Sequence, residues 1–141
     1  MRSHQVLSKR TVLVVDASVL APALADDQTD GDVARARLRG QGLTAPELID
    51  LEVASVFRRQ LLAGDLDLRR ADLAIADLRD LPVRRVPHRQ LLGRCWDLRH
   101  NLTPYDAAYV ALAELLDLVL VTGDARLRKA PGVRCVVEVL T

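Results

Sequence analysis

Hydrophobic residues along this chain alternate between short continuous runs and segments with a helical period. The run Thr11–Val15 is apolar and rich in β-branched residues, as expected for a strand that is buried on both faces. Similar runs at Leu43–Ala45, Val83–Val86, Leu118–Thr122 and Val133–Leu140 predict further strands. Because helical segments separate them, the pattern predicts an α/β fold with a mainly parallel sheet covered on both faces.

Caps, prolines and glycines indicate where the helices begin and end. Pro46 suits the first position of a long helix that continues to about Ala63, before Gly64. The other predicted helices begin near Ser18, cover Asp32–Arg39, run from the cap Asp67 to before Pro82, cover His88–Arg99, and run from Thr103 and Pro104 to about Leu116.

The composition is that of one compact domain. The chain has 141 residues, of which 50% are hydrophobic, enough for a sizeable core. No apolar stretch is long enough to cross a bilayer or to serve as a secretory signal, so we expect a cytoplasmic protein without a membrane partner. Cys95 and Cys135 have no partner at ligand spacing, which favours two buried, reduced thiols over a disulfide.

The net charge of +1 comes from 20 basic and 19 acidic residues, so the whole chain lacks the charge of a nucleic-acid binder. Any such role must come from local patches. Lys9 and Lys129 are the only lysines, and the remaining basic residues are arginines. The planar arginine fork suits phosphate, although biased codon usage explains the same composition.

Two aspartates follow the ends of predicted strands. Asp16 comes directly after Thr11–Val15, and Asp124 follows Leu118–Thr122 after one glycine. The carboxyl ends of parallel strands form the edge at which such sheets bind ligands, so two acids there indicate a site. Each aspartate is also a good N-cap for a following helix, and that alternative stays open.

Glu52 projects from the apolar stripe of the predicted Pro46–Ala63 helix, between Ile49 and Val56. A carboxylate in that position is unfavourable unless it is paired or bound to a metal. A buried salt bridge to one of the many arginines is the alternative explanation.

Asp106 lies three residues after the predicted cap Thr103, so a capping box explains it equally well. Its helical face, however, continues through Tyr109, and the small residues Ala107 and Ala108 allow close packing. The sequence therefore combines two acids at strand ends with two acids on buried helix faces.

Four carboxylates without Cys or His form a suitable ligand set for Mg²⁺ or Mn²⁺, which prefer oxygen ligands. A metal bound there orients a scissile phosphate and activates water. Ser18 and Thr122 lie beside the strand-end acids and can orient carboxylates or hold water. Capping and turn formation are equally good explanations for both hydroxyls.

With these residues in place, the chain resembles the PIN-domain family, and within it the VapC-type toxins. The resemblance covers almost the whole domain, and the order and spacing of the segments carry it. The matching segments are VVDASVL at 14–20, PELIDLEVASVFRR at 46–59, LTPYDAAYVALAE at 102–114 and LVLVTGDARL at 118–127.

The resemblance implies a three-layer α/β/α sandwich with about five strands. It implies that Asp16, Glu52, Asp106 and Asp124 are the catalytic, metal-binding quartet. It also implies a Mg²⁺- or Mn²⁺-dependent ribonuclease that is the toxin of a type II toxin–antitoxin system. Such toxins cut tRNA or ribosomal RNA and are usually homodimers. A cognate VapB-type antitoxin silences them, typically by wrapping the toxin and placing a side chain into or across the acidic site.

Family members often begin almost at the first strand, whereas this chain has ten residues before it. We expect residues 11–141 to form a single PIN domain. Residues 1–10 are an N-terminal extension, either a disordered addition or a mis-assigned start, and we assign them no function.

Substrate RNA needs positive charge near the acids. Arg126 and Arg128 are favoured because they follow Asp124 closely, and Tyr105, beside Asp106, is the best candidate for base stacking. Phe57 and Trp96 are expected in the core, and His88 and His100 are expected to be structural. Further candidate arginines are Arg58, Arg59, Arg84, Arg85 and Arg89.

Other functions remain as alternatives. A phosphotransfer enzyme of the haloacid-dehalogenase type needs a second aspartate where Ser18 stands, and a receiver domain needs a lysine at a late strand end; neither pattern fits. The chain could instead be an inactive PIN-fold module that binds RNA or protein. It could also be a PIN nuclease for RNA processing rather than a toxin.

Overall fold

Five short strands form one parallel sheet in the order β3-β2-β1-β4-β5 in the computed structural model, which describes residues 11–141. The N-terminal extension, residues 1–10, lies outside the described residues. The strands are Val12–Val15 (β1), Gly42–Pro46 (β2), Val83–Val86 (β3), Leu120–Thr122 (β4) and Val137–Val139 (β5).

Seven α-helices lie between and beside these strands in the described part of the chain. They are Ala17–Ala25 (α1), Thr29–Leu38 (α2), Ile49–Leu62 (α3), Leu68–Asp80 (α4), Leu92–Asp97 (α5), Pro104–Leu116 (α6) and Ala125–Lys129 (α7). The first four pack on one another, whereas α6 packs on β1, β2 and β4 and carries α5 on its outer side. The α/β/α sandwich is therefore confirmed. Over residues 11–141, no helix is both long and apolar enough to cross a membrane.

The central strand β1 determines where a ligand can bind. Val14 pairs with Thr44 of β2 on one side and with Leu120 of β4 on the other. The chain adds β2 and β3 on the first side and β4 and β5 on the second. A crevice opens at such a switch point, beyond the carboxyl ends of the two strands that flank it. In this protein those two strands are β1 and β4.

The core surrounds β1. Leu13, Val14 and Val15 have no exposed surface, as the continuous apolar run predicts for a strand covered by helices on both faces. Cys95 is buried and Cys135 partly buried, and both are free thiols. The prediction of reduced cysteines is confirmed.

The predicted start of the long helix at Pro46 is wrong. Pro46 is the last residue of β2 and pairs with Val86, and the N–H of Glu47 donates to the carbonyl of Val86 at 3.0 Å. Because this strand pairing continues past the proline, α3 begins only at Ile49. The N–H of Leu48 donates to His88 Nε2 at 3.0 Å, which confirms a structural role for His88.

The predicted His88–Arg99 helix is shorter and interrupted: a 3₁₀ turn, Arg89–Leu91, precedes the six residues of α5. Phe57 is buried as predicted, but the core prediction for Trp96 is wrong, because 65% of that residue is exposed. Arg99 lies over the Trp96 ring, 4.9 Å from its centroid. The short helix α7 was not among the predicted elements.

Candidate active site

Asp16 is held in a network at the carboxyl end of β1. Its Oδ1 accepts from the backbone N–H and the hydroxyl of Ser18 at 3.1 and 2.5 Å, and its Oδ2 accepts from the Thr122 hydroxyl at 2.5 Å. The residue is only 8% exposed. Burial raises the pKa of Asp16 to about 6, although these hydrogen bonds favour the charged form. Asp16 is both the N-cap of α1 and a carboxylate in the crevice.

The same network ties β1 to the segment after β4. The Gly123 N–H donates to the Ser18 hydroxyl oxygen at 2.7 Å, and the Asp124 N–H donates to the Thr122 hydroxyl oxygen at 3.0 Å. A Cβ on Gly123 would lie 3.2 Å from Ser18 Oγ, so the absence of a side chain permits this approach. Ser18 and Thr122 therefore lie beside Asp16 as predicted, and both contact it.

Glu52 lies on α3 and is half-buried. Its Oε1 accepts from the Tyr109 hydroxyl of α6 at 2.6 Å, so its partner is a tyrosine and not the arginine considered from the sequence. Burial raises the pKa of Glu52, the Tyr109 hydrogen bond lowers it, and repulsion from Asp106 raises it further. Tyr109 is buried with the core, so the hydroxyl is fixed in place.

Asp106 and Asp124 complete the group. Asp106 lies in the first turn of α6, where its N–H donates to Thr103 Oγ1 at 3.2 Å, and burial raises its pKa. Asp124 is the N-cap of α7. The Arg126 guanidinium donates to both of its oxygens, with Nη2 and Oδ2 2.6 Å apart, and lowers the pKa of Asp124.

All four predicted acids line one open cleft of about 360 Å³, whose lining also includes Ser18, Tyr109 and Arg59. Repulsion between neighbours links them in a chain: Glu52 acts on Asp16, Asp106 on Glu52, and Asp124 on Asp106. The structure therefore brings the quartet together from four different elements of the fold.

A divalent cation would meet oxygen ligands only, as Mg²⁺ and Mn²⁺ prefer. Over residues 11–141, however, no three acidic, His or Cys side chains converge closely enough to hold a metal ion. Since the Arg126 side chain is 81% exposed, it can leave Asp124 without disturbing the core. The donor chemistry of the four carboxylates suits such a cation.

The predicted RNA-binding residues are less closely grouped. Arg126 contacts the quartet directly. Arg128 is exposed on α7, and Tyr105 is 63% exposed at the start of α6. In the described part of the chain, neither of these two residues lines the acidic cleft.

Tyr109 was not predicted as a site residue, whereas Arg59 was among the candidate arginines for RNA binding. Tyr109 follows Asp106 by three positions, and Arg59 follows Glu52 by seven, so both lie on the same helix face as the preceding acid. That spacing was the signal in the sequence. Arg59 donates to the Ser55 hydroxyl oxygen at 3.2 Å, and both side chains line the cleft.

Comparison with known proteins identifies the family. A family model for the PIN domain matches residues 13–133. The chain belongs to the PIN-domain family. It is 41% identical to Ribonuclease VapC1 of Mycobacterium tuberculosis over 128 residues, 90% of this chain and 96% of that protein. It is 39% identical to Ribonuclease VapC9 of the same organism over 129 residues, 92% of this chain and 98% of that protein.

Solved structures agree with this PIN-domain assignment. PAE2754 from Pyrobaculum aerophilum is 27% identical with a TM-score of 0.63, over 91% of this chain and 83% of that chain. VapBC2 from Rickettsia felis, bound to a DNA fragment from their promoter, has a TM-score of 0.65 at 10% identity, over 91% of this chain and 98% of that chain. The second likeness shows the fold alone.

Proposed function

We propose that this PIN-domain protein is a metal-dependent endoribonuclease and the toxin of a type II toxin–antitoxin pair. The observation that carries the proposal is the cleft in which Asp16, Glu52, Asp106 and Asp124 meet. The relatives named as VapC ribonucleases, which this chain matches over nine-tenths of its length, support the same activity.

Mg²⁺ or Mn²⁺ is the proposed cofactor, and the four acids are its proposed ligands. When bound, the cation supplies charge that orients the scissile phosphate, lowers the pKa of water and stabilises the leaving oxygen. The chain's own residues position the ligands: Ser18 and Thr122 hold Asp16, and Tyr109 holds Glu52. Arg59 supplies positive charge on the cleft wall, where a phosphate of the substrate can contact it.

The proposed reaction is hydrolysis of an RNA phosphodiester by water, with tRNA or ribosomal RNA as substrate. Since water and not the ribose 2′-hydroxyl is the nucleophile, the products carry 5′-phosphate and 3′-hydroxyl ends. A 2′,3′-cyclic phosphate on the products would contradict this mechanism.

A VapB-type antitoxin is the proposed partner, and a homodimer is the proposed assembly. The relatives' VapC names support the antitoxin assignment. We place the protein in the cytoplasm, where its RNA substrates are.

The test is cleavage of total cellular RNA by purified, antitoxin-free protein with Mg²⁺ or Mn²⁺, with the new 5′ ends mapped. We expect discrete cuts that a chelator abolishes. Asp106→Asn should reduce the rate by about 100-fold or more, because it removes a carboxylate from the cleft.

Asp72→Asn is the matched control, since Asp72 is an exposed acid on α4, and its rate should equal that of the unmodified protein. A folded protein that cuts no cellular RNA with either metal would instead favour a PIN-fold binding module. If the protein cuts RNA but no antitoxin gene lies beside its own gene, the result would favour an RNA-processing nuclease.

A further inference from the structure

A second cavity, between α6 and α7, adjoins the acidic cleft at Asp106. This cavity, the α6–α7 pocket, has a volume of about 320 Å³, and Asp106 lines both it and the cleft. Its lining includes Asn101, Leu102, Arg126, Lys129 and Ala130. A site of this size is at the lower end of the range for small ligands, and it directly adjoins the quartet.

The opposite flank of the cleft has the reverse charge. There a cavity of about 300 Å³ shares Ser18 with the cleft, and the charged residues of its lining within the described range 11–141 are Asp26, Asp30 and Asp65. Among residues 11–141, the α6–α7 pocket has two cations in addition to the shared Asp106: Lys129, and Arg126, which is paired with Asp124. An RNA backbone is repelled on the first flank and attracted on the second.

The pocket also offers surfaces suited to a base. Leu102 and Ala130 provide apolar wall, on which a base can pack. The Asn101 amide is positioned by its hydrogen bond to the Pro131 carbonyl at 3.2 Å. An amide has a second N–H and an oxygen that remain available to a base edge.

We propose that the α6–α7 pocket binds the RNA nucleotide next to the scissile phosphate, with Arg126 and Lys129 contacting its backbone phosphate and its base lying against Leu102 and Ala130. This inference rests on the proposed ribonuclease function. It assigns a direction to the substrate, because the strand enters the cleft over α6 and α7 and not over Asp26, Asp30 and Asp65.

The chain contains a matched pair for testing this site. Lys129 and its neighbour Arg128 carry the same charge at the end of α7, and both are exposed. Among the described residues, Lys129 lines the pocket and Arg128 does not. Ala130→Leu fills the pocket without any change in charge.

The experiment measures binding of a short fluorescein-labelled single-stranded RNA by anisotropy, in EDTA so that no cleavage occurs. We expect Lys129→Ala and Ala130→Leu each to weaken binding about fivefold or more, the scale of one lost phosphate or stacking contact. Arg128→Ala should change the affinity by less than about twofold. Circular dichroism verifies that each variant is folded, and Lys129→Glu provides a second charge variant at an exposed position.

A second readout uses the RNA around a mapped cut, with an abasic nucleotide placed on either side of the cleaved bond. The unmodified protein should lose affinity for one of the two abasic RNAs only, and Ala130→Leu should abolish that difference. Equal effects of Lys129→Ala and Arg128→Ala, together with unchanged binding by Ala130→Leu, would overturn the pocket. RNA binding in EDTA by a protein that cleaves no RNA with Mg²⁺ or Mn²⁺ would overturn the nuclease and leave the pocket standing. No RNA binding in EDTA would overturn the pocket, and the cleavage assay with metal then decides the nuclease separately.

Discussion

Asp16 and Asp124 each cap a helix with one carboxylate oxygen and contact a neighbouring side chain with the other. Asp16 caps α1 through Oδ1 and binds the Thr122 hydroxyl through Oδ2. Asp124 caps α7 through Oδ1, and the Arg126 guanidinium holds Oδ2. A helix cap needs only one oxygen, so the capping alternative and a place in the cleft are compatible at both positions.

The contact between Arg126 and Asp124 predicts competition with a metal ion. Removing the guanidinium in Arg126→Ala should raise the affinity for Mn²⁺ about two- to fivefold, since an exposed ion pair is weak and easily displaced. Titration followed by the electron paramagnetic resonance signal of free Mn²⁺ measures this affinity without any RNA.

Arg128→Ala removes the same charge from the same helix and should leave the Mn²⁺ affinity within about twofold. Arg126→Lys keeps the charge but loses the bidentate contact with Asp124, and its Mn²⁺ affinity should resemble that of Arg126→Ala. An unchanged affinity in Arg126→Ala would show that the guanidinium does not compete for Asp124.

At the scale of elements, Gly31 determines how α2 follows α1. Its N–H donates to Asp26 Oδ2 at 3.0 Å, and a Cβ at this position would lie 1.9 Å from the Asp26 carbonyl oxygen. We expect Gly31→Ala to lower the free energy of unfolding by about 2–3 kcal/mol, because the backbone must shift. Urea denaturation measures the change.

Gly93 in α5 is the comparison, because a Cβ there meets nothing within 4 Å. Gly93→Ala should raise the free energy of unfolding by about 0.5–1 kcal/mol through helix propensity alone. Opposite signs at the two glycines are the expected result. Stabilisation by both substitutions would show that α2 can move away from Asp26.

The elements also show what local sequence can predict. The helix α6 begins and ends as expected, because Thr103 and Pro104 are strong start signals and act locally. The start of α3 was misplaced because Pro46 also fits a strand end, and only pairing with β3 decides between the two. Trp96 directly follows the buried Cys95 on α5, and because adjacent helix positions point about 100° apart, Trp96 faces the solvent.

At the scale of the whole molecule, burial of Asp16 opposes stability. Its pKa is raised to about 6 in the folded protein from 3.8, so the folded state favours the neutral acid. The neutral Asp16 carboxyl therefore contributes stability to the folded protein. This contribution is fully present below about pH 4 and is lost as the pH rises through about 6. The loss amounts to about 3 kcal/mol.

Asp16→Asn does not titrate, so in EDTA it should be more stable than the unmodified protein at pH 7, by up to about 3 kcal/mol. The difference should disappear near pH 4. Urea denaturation at a series of pH values measures it, and a gain that is constant with pH would contradict a role for the buried charge.

The quartet could be predicted because its signals are short-range: an acid directly after a buried strand, or within an apolar helix stripe. The contact of Glu52 with Tyr109 could not be predicted, since the two residues are 57 positions apart and their contact depends on how α3 and α6 pack together. The pairing of Arg126 with Asp124, by contrast, is local, because the two residues are two positions apart.

The neighbours β1 and β4 are far apart in the chain: the Asp16–Thr122 hydrogen bond spans 106 positions. During synthesis on the ribosome, Asp16 emerges early. Its hydrogen-bond network cannot form until Thr122 and Asp124 have also emerged. A nascent chain therefore carries an incomplete acid cluster until β4 has left the exit tunnel. If the protein is the toxin we propose, the nascent chain cannot cleave the ribosome and tRNAs that make it for most of its synthesis.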